Sequence, residues 1–121
     1  MNKEQITTLF KVIDQMDCEK FVSFLCEEDS EFKFGNAASV KGRAEIKNAV
    51  SGFFSSIHGL SHNIKQVWNV DDTVIVKGEV TYTRKDKTQV TIPFMNLLEL
   101  NKGLIKNYQI FIDVAPLYTQ A

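Results

Sequence analysis

The stretch from Thr73 to Val114 limits the possible folds more than any other, because it reads as three consecutive antiparallel strands. From Val74 the even positions are Val74, Val76, Gly78, Val80 and Tyr82; the odd ones are Ile75, Lys77, Glu79, Thr81 and Thr83. Alternation with a period of two buries one face of a strand and wets the other. Lys85-Asp86-Lys87 makes a polar turn, and Thr88 to Leu100 forms the second strand. Val90, Ile92, Phe94, Asn96, Leu98 and Leu100 share one of its faces, while Thr91, Pro93, Met95 and Leu97 share the other. Asn101-Lys102-Gly103 turns the chain again, with Gly103 free to take a positive φ. Leu104 to Val114 is the third strand. The second strand is apolar on both faces for much of its length, and Phe111 in the third adds to the surplus. A one-layer core does not need this, so a second copy of the chain is expected to cover the back of the sheet as a homodimer.

The upstream half supplies helices. Ile6, Leu9, Phe10, Ile13 and Met16 fall at helical spacing, which predicts a first helix over about Lys3 to Met16. Asp17 is placed to cap a second helix with Phe21, Phe24 and Leu25 as its apolar stripe. Glu31-Phe32-Lys33-Phe34 alternates as a short strand, and Gly35-Asn36 turns after it. A third helix starts at Gly42, where Glu45 is positioned to reach back to the exposed amides. Ile46, Val50, Phe53 and Ile57 form its stripe, and Gly59 stops it. Three helices followed by a meander of about four strands predict an α+β fold in one domain spanning residues 1–121.

The formal net charge is −1, which gives no electrostatic reason to expect nucleic acid. No apolar run approaches the ~20 residues that span a bilayer, and the N-terminus carries no secretory apolar segment, so a cytoplasmic location is expected. Cys18 and Cys26 are the only cysteines. On one helix their Cα atoms would stand ~12 Å apart, too far for a disulfide. Glu27, Glu28 and Asp29 beside Cys26 disfavour a thiolate there. His58 and His62 have the spacing of a helical metal pair, but Gly59 interrupts them and no third ligand is evident, so neither metal nor cofactor is expected.

The order of elements, the segment Val40-Lys41-Gly42-Arg43-Ala44-Glu45-Ile46 and the ending from Tyr108 to Leu117 resemble the nuclear transport factor 2-like superfamily. Within it the chain is most similar to the SnoaL-like, or polyketide-cyclase-like, branch, which also resembles ketosteroid isomerases and limonene epoxide hydrolases. The resemblance covers nearly the whole chain and implies a curved, cone-shaped antiparallel sheet wrapped around three N-terminal helices. Its open end would be an apolar pocket for a small hydrophobic or aromatic molecule, and homodimers would pack sheet to sheet.

The resemblance also suggests where chemistry would sit. Isomerase chemistry needs a carboxylate base with a tyrosine and a protonated aspartic acid as oxyanion donors. The tyrosine position falls at Phe10, the base at or near Phe34 and the second donor near Asn96, so two of the three groups are phenyl rings. An epoxide-hydrolase carboxylate would fall at Ile110, which removes that chemistry too. The remaining polar candidates are His62 and Asp113 as a catalytic acid–base pair. The expected ligand wall comprises Phe10, Phe34, Phe53, Trp68, Tyr82, Asn96, Tyr108 and Ile110, with His62 and Trp68 on one face if their strand is regular. Against this, His62 also reads as a strand-edge histidine and Asp113 as the cap of the following turn. Two rival readings stay open: a protein–protein module using the sheet's apolar back, and a binding protein without turnover.

Overall fold

The computed structural model describes residues 1–119. Helix α1 (Lys3–Asp14) opens on a reciprocal cap: the Asn2 side chain accepts the Gln5 N–H at 2.8 Å, and Gln5 Oε1 accepts the Asn2 N–H at 2.9 Å. Its buried stripe is Ile6, Leu9, Phe10, Val12 and Ile13. The helix stops two residues earlier than its periodicity suggests, because Met16 takes a φ of 56° and turns the chain. Asp17 then caps α2 (Cys18–Val22) by accepting the Lys20 N–H at 3.0 Å. Leu25 has already left that helix to bridge Ile105, so the two cysteines do not share a helix. Both thiols are free and partly buried.

Strands β1 (Glu31–Phe34) and β2 (Val40–Lys41) form a small hairpin. Gly42, with a φ of 81°, starts α3 (Arg43–Ser55) without any side-chain cap, so Glu45 does not close the helix start. The guanidinium of Arg43 instead donates two hydrogen bonds, of 3.0 and 2.7 Å, to the Leu25 carbonyl. This ties α3 to the end of α2. The long strands are β3 (Gly59–Val70), β4 (Thr73–Thr83), β5 (Gln89–Asn101) and β6 (Leu104–Ile112), followed by a short α4 (Ala115–Tyr118). Arg84 fastens α4 by donating to the carbonyls of Leu117 at 2.9 Å and Pro116 at 2.8 Å.

The six strands form one curved, unclosed sheet in the order β2-β1-β6-β5-β4-β3. All its pairings are antiparallel except β1 with β6, which run parallel through Phe32–Tyr108 and Phe34–Ile110. The sheet is thus curved and antiparallel as expected, with the one parallel pairing added where β1, arriving from the helical half, docks on the edge of β6. Val74, Val76, Val80, Tyr82, Leu98 and Tyr108 point into the concave face and are buried beneath the helices. Among the described residues no helix is long and apolar enough to cross a membrane.

One irregularity decides what β3 presents. Ile64 pairs with Gly78 but Gln66 pairs with Lys77, so Lys65 is an extra residue, a β-bulge. Before the bulge Leu60, His62 and Ile64 oppose the buried face of β4; after it Val67 does, and Trp68 pairs with Ile75 on the other face. Gly78 makes this possible, since a Cβ there would sit 2.2 Å from the Asn63 carbonyl oxygen. Trp68 is therefore turned outward and 37% exposed, which corrects the expectation that it shares a face with His62.

Candidate functional site

The helices do not fill the concave face completely. A cavity of about 240 Å³ lies between them and the sheet. Ile13, Phe21, Val50 and Phe53 close it from the helical side, while Phe34, Val80, Phe94 and Ile110 belong to the strands beneath. Four polar side chains break this apolar wall: His62, Tyr82, Asn96 and Tyr108.

His62 projects from β3 toward the end of α1. Its Nδ1–H donates to Asp14 Oδ1 at 2.5 Å, and its backbone N–H donates to Asp14 Oδ2 at 3.0 Å. The two bonds hold one carboxylate in both directions and fix the ring. Phe10 packs on the imidazole with centroids 5.0 Å apart, and Phe94 meets it edge-on at 5.2 Å. The side chain is 10% exposed. With Nδ1 committed to Asp14, Nε2 is the ring nitrogen left without a protein partner among the described residues. A carboxylate that orients an imidazole is an arrangement that general-base catalysis uses.

Asn96 and Tyr108 lie side by side on β5 and β6. The Asn96 Nδ2 donates to the Tyr108 hydroxyl at 3.4 Å, and its Oδ1 is buried without a partner. Burial pushes the Tyr108 and Tyr82 hydroxyls well above the ordinary tyrosine range, so both stay neutral donors in the wall. Tyr82 is held edge-on by Phe53 at 5.6 Å.

Of the ligand residues expected from the sequence, Phe34, Phe53, Tyr82, Asn96, Tyr108 and Ile110 meet at the cavity. Phe10 stands behind His62 as its packing partner rather than at the wall. Trp68 is on the opposite face of the sheet. Asp113 does not meet His62: it is exposed, and its side chain accepts the Ala115 N–H at 3.0 Å to cap the turn into α4. The carboxylate that reaches the imidazole is instead Asp14, 48 residues upstream, which was not among the expected site residues. A faint signal was present. Asp14 is the last residue of α1, where the helix dipole disfavours a negative charge unless something compensates it.

The family model of the SnoaL-like domain matches residues 6–108. Among solved structures, the fold is similar to TerC co-crystallised with polyporic acid, at 19% identity over 95% of this chain and 93% of that one, with a TM-score of 0.82. It is similar to a protein of ketosteroid isomerase-like fold from Catenulispora acidiphila in complex with trimethylamine, at 16% identity, 92% and 86% coverage and a TM-score of 0.82. A protein from Shewanella putrefaciens assigned as a SnoaL-like polyketide cyclase aligns at 17% identity over 98% and 95% of the two chains, with a TM-score of 0.80. No curated protein matches the sequence.

Proposed function

The chain belongs to the SnoaL-like domain family, and on that premise we propose that it binds a small, mainly apolar molecule in the concave cavity and moves a proton on it with His62 as the base. The observation that carries this reading is the Asp14–His62 pair at a wall that is otherwise almost wholly apolar. Nε2 takes a proton from a carbon or oxygen of the bound molecule, the released electron pair moves into that molecule's own conjugated carbonyl, and Asp14 stabilises the imidazolium. Returning the proton to another atom completes an isomerisation, cyclisation or dehydration. The neutral hydroxyls of Tyr82 and Tyr108 are the donors available to a developing oxyanion. Such proton transfer needs no cofactor. Small molecules accompany two of the structural neighbours, TerC and the Catenulispora acidiphila protein, which supports a ligand site in this fold.

The test is hydrogen–deuterium exchange at the acidic C–H positions of 2-tetralone in D₂O, followed by NMR. The wild type should accelerate exchange over buffer, Asp14→Asn should lose most of the acceleration, and His62→Gln all of it while remaining folded. Exchange no faster than in buffer would sink the proton-transfer role and leave a binding protein.

Outside the cavity, Trp68, Met95 and Phe111 give the back of the sheet an exposed apolar surface. This supports a homodimer packed sheet to sheet as the working assembly, and sedimentation velocity across a range of concentrations measures it.

A further inference from the structure

The charges of this chain are distributed unevenly around the cavity. Of its 14 lysines and arginines, none lines the cavity among the described residues. On β1 the alternation of the strand keeps a cation out: Phe32 and Phe34 reach the wall, and Lys33 between them takes the other face. Both arginines are committed to backbone. Arg43 donates to the Leu25 carbonyl at 3.0 and 2.7 Å, and Arg84 to the carbonyls of Leu117 and Pro116. Lys47, on the same helix as the wall residues Val50 and Phe53, pairs at the surface with Glu19.

The charge that does stand close behind the wall is negative. Asp14 accepts from the His62 ring at 2.5 Å and from the His62 backbone N–H at 3.0 Å. Protonating His62 therefore supplies no free cation, because that charge is already met by Asp14. The other titratable groups of the wall, Tyr82 and Tyr108, are neutral donors. Proton transfer between a bound molecule and His62 moves charge within this site without adding any. A ligand that arrives from water as an anion adds one. It loses its hydration, gains no counter-ion and meets a carboxylate nearby. An acid in such surroundings is driven to its neutral form.

We infer that the cavity selects by charge: it takes an uncharged ligand, and it accepts a carboxylic acid only as the protonated acid. This rests on the binding reading above but not on turnover.

The experiment compares methyl 2-naphthoate with 2-naphthoic acid by isothermal titration calorimetry at pH 5, 6 and 7, on wild type and His62→Gln. Two rings suit a cavity of about 240 Å³, which lies below the ~300–1,000 Å³ of drug-sized sites. An ordinary carboxyl titrates near pH ~4, so about one acid molecule in ten is neutral at pH 5 and about one in a thousand at pH 7. Wild type should therefore prefer the ester about tenfold at pH 5 and about a hundredfold at pH 6, with acid binding lost from detection at pH 7. The gap should widen in the same way in His62→Gln. Acid and ester bound equally by wild type at pH 7 would overturn the inference while leaving the cavity a ligand site. Acid binding that vanishes in His62→Gln while the ester is retained would also overturn it, by making the histidine a counter-ion. Failure of the ester to bind wild type at any of the three pH values would overturn the ligand site itself, and the inference with it. Should His62→Gln not fold, the wild-type gap and its growth with pH decide alone.

Discussion

The two faces of this sheet are made of similar residues and meet opposite fates. On the concave face Leu98, Val76 and Val80 are essentially inaccessible to water. On the convex face Met95 of β5, next to Phe94 and Asn96, is 39% exposed, and Phe111 of β6, next to Ile110 and Ile112, is 52% exposed. Neither hydrophobicity nor strand propensity separates the two sets. What separates them is the chain that arrives from upstream: among the described residues, its three helices are laid over one face and none over the other. The covered face is also the one carrying polar exceptions, His62, Asn96 and the two tyrosines, each in a place where an apolar side chain would pack more simply. Polar groups on the open face are met by water and mean little. On the covered face each needs a partner, which makes them informative about function.

The sharpest way to break the contrast is Gly78→Val. A Cβ at that position meets the Asn63 carbonyl at 2.2 Å, so the bulge that turns Trp68 out cannot survive as it is. A loss of about 4 kcal/mol is expected from urea unfolding, beyond the usual cost of overpacking because the obstacle is backbone. Leu98→Ala comes next, at about 3 kcal/mol, from lost burial plus the void left in a covered face.

The covered tyrosines add a pH effect of known sign. Burial raises the folded values of Tyr82 and Tyr108 above the ordinary ~10, so the unfolded chain releases their protons first. Their contribution is complete below pH ~10 and is lost as pH climbs from there toward the raised folded values. Alkaline denaturation should therefore steepen above that point, and Tyr108→Phe should flatten it. Phe111→Ala is expected to be the smallest change, within about 0.5 kcal/mol for an isolated chain. A larger effect that grows with protein concentration would mean that the open face is covered by a second copy.

How far each feature could be read in advance follows from its range along the chain. The strands from Thr73 to Ile112 were legible because alternation is a property of near neighbours, and the cap at Asp17 was legible for the same reason. The parity of β3 was not. Nothing in the run from His62 to Trp68 announces that Lys65 is extra, since the bulge exists only relative to β4 and to the space left by Gly78.

The candidate site divides in the same way. Six of the eight expected ligand residues meet at the cavity because each sits on an element whose inward face was set by its own periodicity. The partner of His62 could not be found so. Asp113 was the nearer guess by resemblance, yet its carboxylate is taken by a backbone N–H two residues on, a local bond that a turn offers to any aspartate. Asp14 reaches the imidazole from the far end of the chain because α1 lands across β3. That landing is decided by the shape of the whole core rather than by any short stretch. The sequence alone determined the α+β class, the presence of three upstream helices and the three long strands from Thr73 onward, and the apolar character of both sheet faces, since periodicity and turn chemistry act over a few residues. Only the tertiary structure decided which face is covered, which carboxylate holds His62 and that the Asn96 amide is buried beside Tyr108, because each depends on where distant segments come to rest.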